Sequence, residues 1–235
     1  NFFGQTLFEI FNLFQIDVVF TPVKFMVPIG ISFYTLQMIS YIMDVYRGNQ
    51  KAEHNLMKIA LYLSFFPTIM EGPICRYHQV GEDLYAGKGI EFKNLKFGYQ
   101  RIVWGLFKKM VIADRLYATV SHVFNNYKDL DGSIIALGVV CYTVQLYMEF
   151  SGCMDIIIGS GEIFGITLPE NFRQPFAAKD ASEFWRRWHI TLGTFFKDYI
   201  FYSISLAKPV KKFAKRVKEK FGRTVSKFVG PTIAL

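Results

Sequence analysis

Three cysteines are too few, and too far apart, to staple or metallate a chain of 235 residues. Cys75, Cys141 and Cys153 form no pair at metal-ligand spacing, which excludes a zinc ribbon and a disulfide scaffold. Cys141 and Cys153 lie in apolar sequence, so buried free thiols are expected. A dinucleotide loop is also missing. Gly159, Gly161 and Gly165 run G-x-G-x-x-x-G with no strand before them. The chain has no internal repeat, no low-complexity tract and no secretory leader pattern at its start. Histidine is scarce. His54, His78 and His122 have no partner at useful spacing and are expected to be structural or exposed, which leaves His189. Acids are nearly absent from 208–227, where nine Lys or Arg meet only Glu219.

What the chain has in quantity is aromatic and apolar surface. Apolar residues make up 51%, with 25 Phe and 13 Tyr. That load favours a membrane protein over a soluble domain. The expected fold class is all-α: a polytopic membrane helical bundle with short or re-entrant segments, forming one membrane-embedded region over 1–235. The chain starts on Asn, and a new apolar run opens after Gly230-Pro231, so it is expected to be an internal part of a longer protein. The basic 208–227 run reads first as a solvated cytoplasmic loop, with anionic-lipid contact or docking of an acidic carrier protein as secondary options, and nucleic-acid binding is not expected beside membrane spans.

Periodicity divides the chain coarsely. Residues 1–20 read as an interfacial amphipathic helix and 22–46 as a span interrupted by Pro28 and Gly30. Residues 55–70 are short for a span and lead into a structured loop over about 71–95. Residues 96–127 are helical but carry Arg101, Lys108, Lys109, Asp114 and Arg115, so they cannot face lipid all round. Residues 133–158 are the clearest span, closed by Gly159-Ser160-Gly161. A non-helical connection over 165–182 precedes a helix over 183–207 and then the basic loop 208–227. The positive-inside rule makes that loop cytoplasmic. A simple serpentine would then leave Arg173, Lys179, Arg186 and Arg187 outside. That conflict predicts a tilted, broken or re-entrant segment.

The densest chemistry is Trp185-Arg186-Arg187-Trp188-His189 at the mouth of an apolar run that holds Lys197, Asp198 and Tyr199. Ionisable groups in such a run are costly unless they are used or paired. His189 reads either as a packed residue or as a base, with Arg186 and Arg187 lowering its pKa so that it stays neutral near pH 7. The two arginines read either as snorkelling anchors or as a clamp on a phosphate of an acyl donor. Trp185 and Trp188 suit an interface or a stacking wall. Glu149 and Asp155 are six apart on different faces, so interhelical pairing is expected rather than a carboxylate dyad. Gln145 and Glu149 share a face and could line a polar tunnel. Lys197 and Asp198 are expected to pair with other helices.

Two blocks resemble the membrane-bound O-acyltransferase family, in the branch of alginate O-acetylation and teichoic-acid D-alanyl transfer. The first is Pro28-Ile29-Gly30-Ile31-Ser32-Phe33-Tyr34-Thr35-Leu36-Gln37, continuing to Asp44-Val45-Tyr46-Arg47. The second is Leu168-Pro169-Glu170-Asn171-Phe172-Arg173-Gln174-Pro175-Phe176, continuing through Glu183–His189 to Asp198-Tyr199. The resemblance implies a helical fold with a tunnel, and acyl transfer from a thioester donor to a hydroxyl. Acetyl-CoA or an acyl-carrier protein would be co-substrate, with no bound cofactor and no metal. The acceptor would be an exported polysaccharide or cell-envelope glycan, with other membrane or extracytoplasmic export proteins as partners and the bacterial cytoplasmic membrane as location. It implies that His189 assists catalysis, that Arg186, Arg187, Trp185 and Trp188 bind donor, and that Gln145, Glu149, Asp155, Asn171, Lys197, Asp198 and Tyr199 are tunnel or structural polar groups. It also implies a second His in a Trp-His-Gly setting in a following span. None is present, so this stretch alone is expected to be inactive. A transporter segment, or an anchor recruiting a partner through 208–227, are the other readings.

Overall fold

The computed structural model describes residues 30–234, and among them every regular element is helical. In chain order these are α1 (Ile31–Tyr46), α2 (Leu56–Ser64), α3 (Phe66–Ile69), α4 (Tyr77–Tyr85), α5 (Phe92–Leu106), α6 (Asp114–Asn125), α7 (Gly132–Ile163), α8 (Ala181–Arg187), α9 (Ile190–Phe195), α10 (Tyr202–Ser205) and α11 (Lys208–Ala234). A π-helical segment, Phe107–Ala113, fuses α5 to α6, and a second, Phe196–Phe201, fuses α9 to α10. The wider turn of a π-segment re-aims side chains. These two contain Lys108, Lys109, Lys197 and Asp198, charges set in otherwise apolar helices.

The longest element is α7, whose 32 residues reach about 48 Å. It is apolar enough to cross a membrane, and only 11% of its most apolar window is buried by this chain. The α5–α6 rod lies antiparallel along it. Glycines make that approach possible. A Cβ on Gly98 would stand 2.6 Å from the Gly159 carbonyl oxygen, and one on Gly105 would stand 2.5 Å from that of Gly152. Both pairs recur after seven residues, two helical turns, so one glycine face meets another with backbones in contact.

That close approach brings opposite charges together. Arg101 forks onto both Glu170 oxygens at 2.7 and 2.6 Å and reaches Asp155 Oδ1 at 3.1 Å. Lys108 donates to Asp155 Oδ2 at 2.6 Å, and Lys109 donates to Glu149 at 3.3 Å. The helix stays charged because its cations face α7 and the segment after it.

A tyrosine-rich core sits beside the pair, built from Tyr41, Tyr62, Phe65, Cys75, Tyr77 and Val80 with Ile158, Ile166 and Leu168. Its phenols are used. Tyr62 Oη donates to the Cys75 carbonyl at 2.7 Å, and Tyr77 Oη donates to Glu53 at 3.1 Å. Gly30 opens α1 at φ 77°, and a Cβ there would meet the Ile69 carbonyl oxygen at 1.7 Å. No other residue fits that position.

Several sequence expectations need correction. The span does not close at Gly159–Gly161. It runs to Ile163, because Gly159 is a contact for α5, and Gly165 at φ 71° ends it. The loop over 71–95 contains α4, whose Gln79 side chain accepts from the Arg76 amide at 2.9 Å. Residues 183–207 are not one helix, because Trp188 and His189 break it. Residues 208–227 are helical, with a break at Gly222 (φ 86°). The expected helix over 1–20 and Pro28 lie outside the described residues. The three cysteines are free, with Cys75 buried and Cys141 and Cys153 half-buried. His54, His78 and His122 are exposed.

Four substitutions test this packing by thermal unfolding in detergent. Gly152→Val is expected to destabilise by about 1–3 kcal/mol or more through overpacking. Gly132→Ala, where a Cβ meets nothing within 4 Å, is expected to be neutral or slightly stabilising. Asp155→Ala strands Lys108 in a largely covered site and is expected to cost about 3–5 kcal/mol. Glu149→Ala, at a more exposed pair, is expected to cost about 0–1 kcal/mol.

Candidate active site

The break in the 183–207 helix is where the chemistry-bearing residues converge. Asn171–Gln174 and Arg187–Ile190 run antiparallel as a short clip. Arg173 N donates to the Arg187 carbonyl at 3.0 Å, Ile190 N donates to the Asn171 carbonyl at 3.0 Å, and Phe172 pairs with Trp188 between them. Gln174 (φ 48°) and His189 (φ 45°) are the two non-glycine residues with positive φ among the described residues, and the clip holds both. Such backbone persists only where the surroundings over-determine it.

Asn171 supplies much of that determination. Its side chain is fully buried, and its Oδ1 faces three donors. It accepts from Thr191 N at 3.0 Å and from Thr191 Oγ1 at 2.9 Å, and it lies 3.2 Å from His189 Nδ1. Thr191 Oγ1 in turn accepts from Ile74 N at 3.0 Å, so its own proton is free for Asn171. The backbone amide of Thr191 can only donate, which fixes the atom facing it as the carboxamide oxygen. His189 Nδ1 must then carry a proton, because two acceptors would otherwise meet. Nε2 is left with its lone pair as the basic nitrogen.

The wall beside His189 is aromatic. Phe150 meets the imidazole edge-to-face at 4.9 Å, and Phe172 meets Phe150 at 4.9 Å and Trp188 at 5.0 Å. Phe184 stacks on Trp188 at 5.6 Å, and Tyr147 reaches Trp188 at 6.0 Å. Tyr147 and Phe150 stand near the middle of α7, so the connection after that helix folds back to its mid-height instead of remaining at its end. Burial in this wall lowers the His189 pKa from its ordinary value. The arginine field expected from the sequence is not the cause. Arg187 pairs with Glu183 at 2.6 Å and Arg186 with Ser182 at 3.0 Å.

The other sequence-predicted residues divide into separate places. Glu149 and Asp155 pair with α5 and the first π-segment, as described. Gln145 is buried, and its Oε1 has no partner among the described residues. Asp198 and Tyr199 face a different cavity of about 670 Å³ with Asp44, Arg47 and Arg76. There Arg76 pairs with Asp198 at 2.5 Å, and Tyr199 Oη donates to Asp44 at 2.8 Å. Lys197 lines a groove with Trp185 and Arg186 and lies 5.9 Å over the Tyr202 ring. In one regular helix, His189 and Lys197, eight residues apart, would lie roughly on one face. The break at Trp188–His189 and the π-segment remove that register. Thr191 and Met154, the latter 3.2 Å from Asn171 Nδ2, belong to the site and were not singled out from sequence. A Thr two residues past a lone His was the available signal.

Residues 50–218 match the membrane-bound O-acyltransferase family, which is most of the chain, clip and His189 included. The chain belongs to this family. Among curated relatives, the probable alginate O-acetylase of Pseudomonas aeruginosa is 40% identical over 204 residues, covering 87% of this chain and 39% of that protein. The peptidoglycan O-acetyltransferase of Helicobacter pylori is 33% identical over 208 residues, covering 77% and 40%. The teichoic acid D-alanyltransferase of Bacillus subtilis is 32% identical over 192 residues, covering 80% and 48%. The chain therefore spans roughly two fifths to one half of the acyltransferases it matches.

The hydrogen-bond logic at Asn171 predicts a pH effect in the full-length protein. Burial favours neutral imidazole, so the folded protein binds fewer protons at His189 than the unfolded chain. Stability from this group is present above the ordinary His pKa and lost as pH falls through the lowered one. The acid limb of activity is expected below the ordinary His range. Asn171→Asp puts a carboxylate against Nδ1 and is expected to raise that limb by about 1 unit or more. An unmoved limb in the pH–rate profile would show that the two side chains are not coupled.

Proposed function

We propose that this region belongs to an enzyme that moves an acyl group, acetyl in the first instance, from a thioester donor to a hydroxyl of an envelope glycan. The observation that supports it most is a neutral, half-buried imidazole whose Nδ1 proton is held by a buried carboxamide, leaving Nε2 free. Such a nitrogen takes the proton of an attacking hydroxyl as its oxygen bonds to the acyl carbon. The carbon–sulfur bond then breaks, and the leaving thiolate takes up that proton. The relatives named above are O-acetylases and a D-alanyltransferase of envelope polymers, which supports the same bond change here.

The donor is acetyl-CoA or an acyl-carrier protein, and no bound cofactor is required. Trp185, Trp188, Arg186 and Arg187 are the substrate-binding surface. Asn171 positions His189. Asp155, Glu149, Lys197, Asp198 and Tyr199 hold the scaffold, and Gln145 lies within it. In this reading the protein works in the bacterial cytoplasmic membrane with several spans, beside export proteins that present the glycan. The ion-paired state of Glu149 and Asp155 disfavours a transport pathway through α7, because charges locked to fixed partners do not relay an ion.

His189→Ala in the full-length protein is expected to lower transfer of labelled acetyl to glycan by roughly 10²–10⁴-fold with membrane insertion retained. Wild-type transfer rates in the variant would remove His189 from the mechanism.

A further inference from the structure

The basic run after Ala207 is unused by the clip, and it is a helix where the sequence suggested a loop. Leu206 and Ala207 alone separate α11 from α10, and α11 packs on α10 and on the second π-segment. Within 208–219 the half-buried positions are Val210, Ala214 and Val217, spaced four and three apart as one helical face. Lys208, Lys211, Lys212, Lys215, Arg216 and Lys218 are all exposed. Glu219 is the single acid of that stretch, and none of the six cations has an ion-pair partner among the described residues. Phe213 is 51% exposed in their midst, with Lys212 beside it and Arg216 one turn on. The segment leading to α11 is apolar and exposed as well, at Phe196, Ile200, Ile204 and Leu206.

Two partners would answer this charge, an acidic soluble protein or an anionic membrane surface. A soluble carrier would use the cations and leave the exposed apolar groups beside them in water. A leaflet uses both: acyl chains take Phe213 and the apolar residues that lead to α11, and headgroup phosphates take the ammonium and guanidinium groups at the ends of their long stems. Position favours the leaflet too. With two residues between α10 and α11, the cations cannot move far from the end of the apolar run, which is where headgroups lie in a membrane-bound protein. We propose that the first half of α11 is a binding surface for anionic phospholipid, with its cations on headgroup phosphates and Phe213 among the acyl chains. The surface uses none of the residues assigned to substrate above and stands apart from the acyl-transfer reading.

The test uses the full-length protein carrying Phe213→Trp in nanodiscs, with the signal of the native tryptophans subtracted from a parallel wild-type sample. The nanodiscs contain brominated phosphatidylglycerol or brominated phosphatidylcholine at the same mole fraction, since bromine quenches tryptophan only at short range. The anionic lipid is expected to quench the added tryptophan about threefold or more beyond the neutral one, and the excess is expected to shrink as salt rises from about 0.05 to about 1 M. Lys211→Gln, Lys212→Gln, Lys215→Gln and Arg216→Gln together are expected to remove the excess and leave quenching by the neutral lipid in place. If that variant does not fold, Lys212→Glu alone is expected to cut the excess roughly by half. Equal quenching by the two lipids overturns the proposal, because charge then selects nothing. Quenching by neither shows that protein covers the surface and overturns it as well. So does an acidic acyl-carrier protein that abolishes the excess at stoichiometric amounts, which would assign the surface to a carrier. Acyl transfer is not a readout here, so failure of the proposed function would leave these outcomes unchanged.

Discussion

One buried carboxamide oxygen joins three parts of this protein. Asn171 Oδ1 takes the backbone and hydroxyl protons of Thr191 and faces the Nδ1 proton of His189, while Thr191 also anchors the Ile74 amide. Without that acceptor, two buried donors would lose their partner, at roughly 1–3 kcal/mol each. The helix that begins at Ala181 would also have no reason to break at Trp188. The break turns a run of helix-compatible residues into a clip with a left-handed histidine, and the clip sets what His189 can do.

The glycine contacts between α5 and α7 are the second constraint. They let two long helices touch backbone to backbone, which brings Lys108 and Arg101 within reach of Asp155 and Glu170. Charges that would be prohibitive on a lone apolar helix become a cross-brace. They hold the segment after α7 at Glu170, and the next residue is Asn171. The brace and the clip are thus consecutive in sequence, and the first positions the second.

Much of this was legible from residue types. The helical class, the scaffold charges on α7 and the Trp-Arg-Arg-Trp-His cluster all follow from composition and spacing. The break at His189 was not, because Phe184–Gly193 contains no proline that would stop a helix there. It is imposed by Asn171, eighteen residues earlier across an irregular connection. The end of α7 was misread for the opposite reason. Gly159 and Gly161 look like a stop signal, yet Gly159 is a packing surface. Its seven-residue spacing from Gly152, matched by Gly98 and Gly105, was the sequence sign of that contact. The cause of the lowered His189 pKa was also out of reach, since the neighbouring arginines are engaged by Glu183 and Ser182 and burial by Phe150 acts instead.

The central claim is that Asn171 fixes His189 as a neutral imidazole protonated on Nδ1. Nitrogen-15 spectroscopy of histidine-labelled full-length protein, with His189→Gln identifying the signal, reads the tautomer directly. A neutral ring with its proton on Nδ1 at pH 7 is the predicted result. A ring protonated on Nε2, or an imidazolium at that pH, would contradict it.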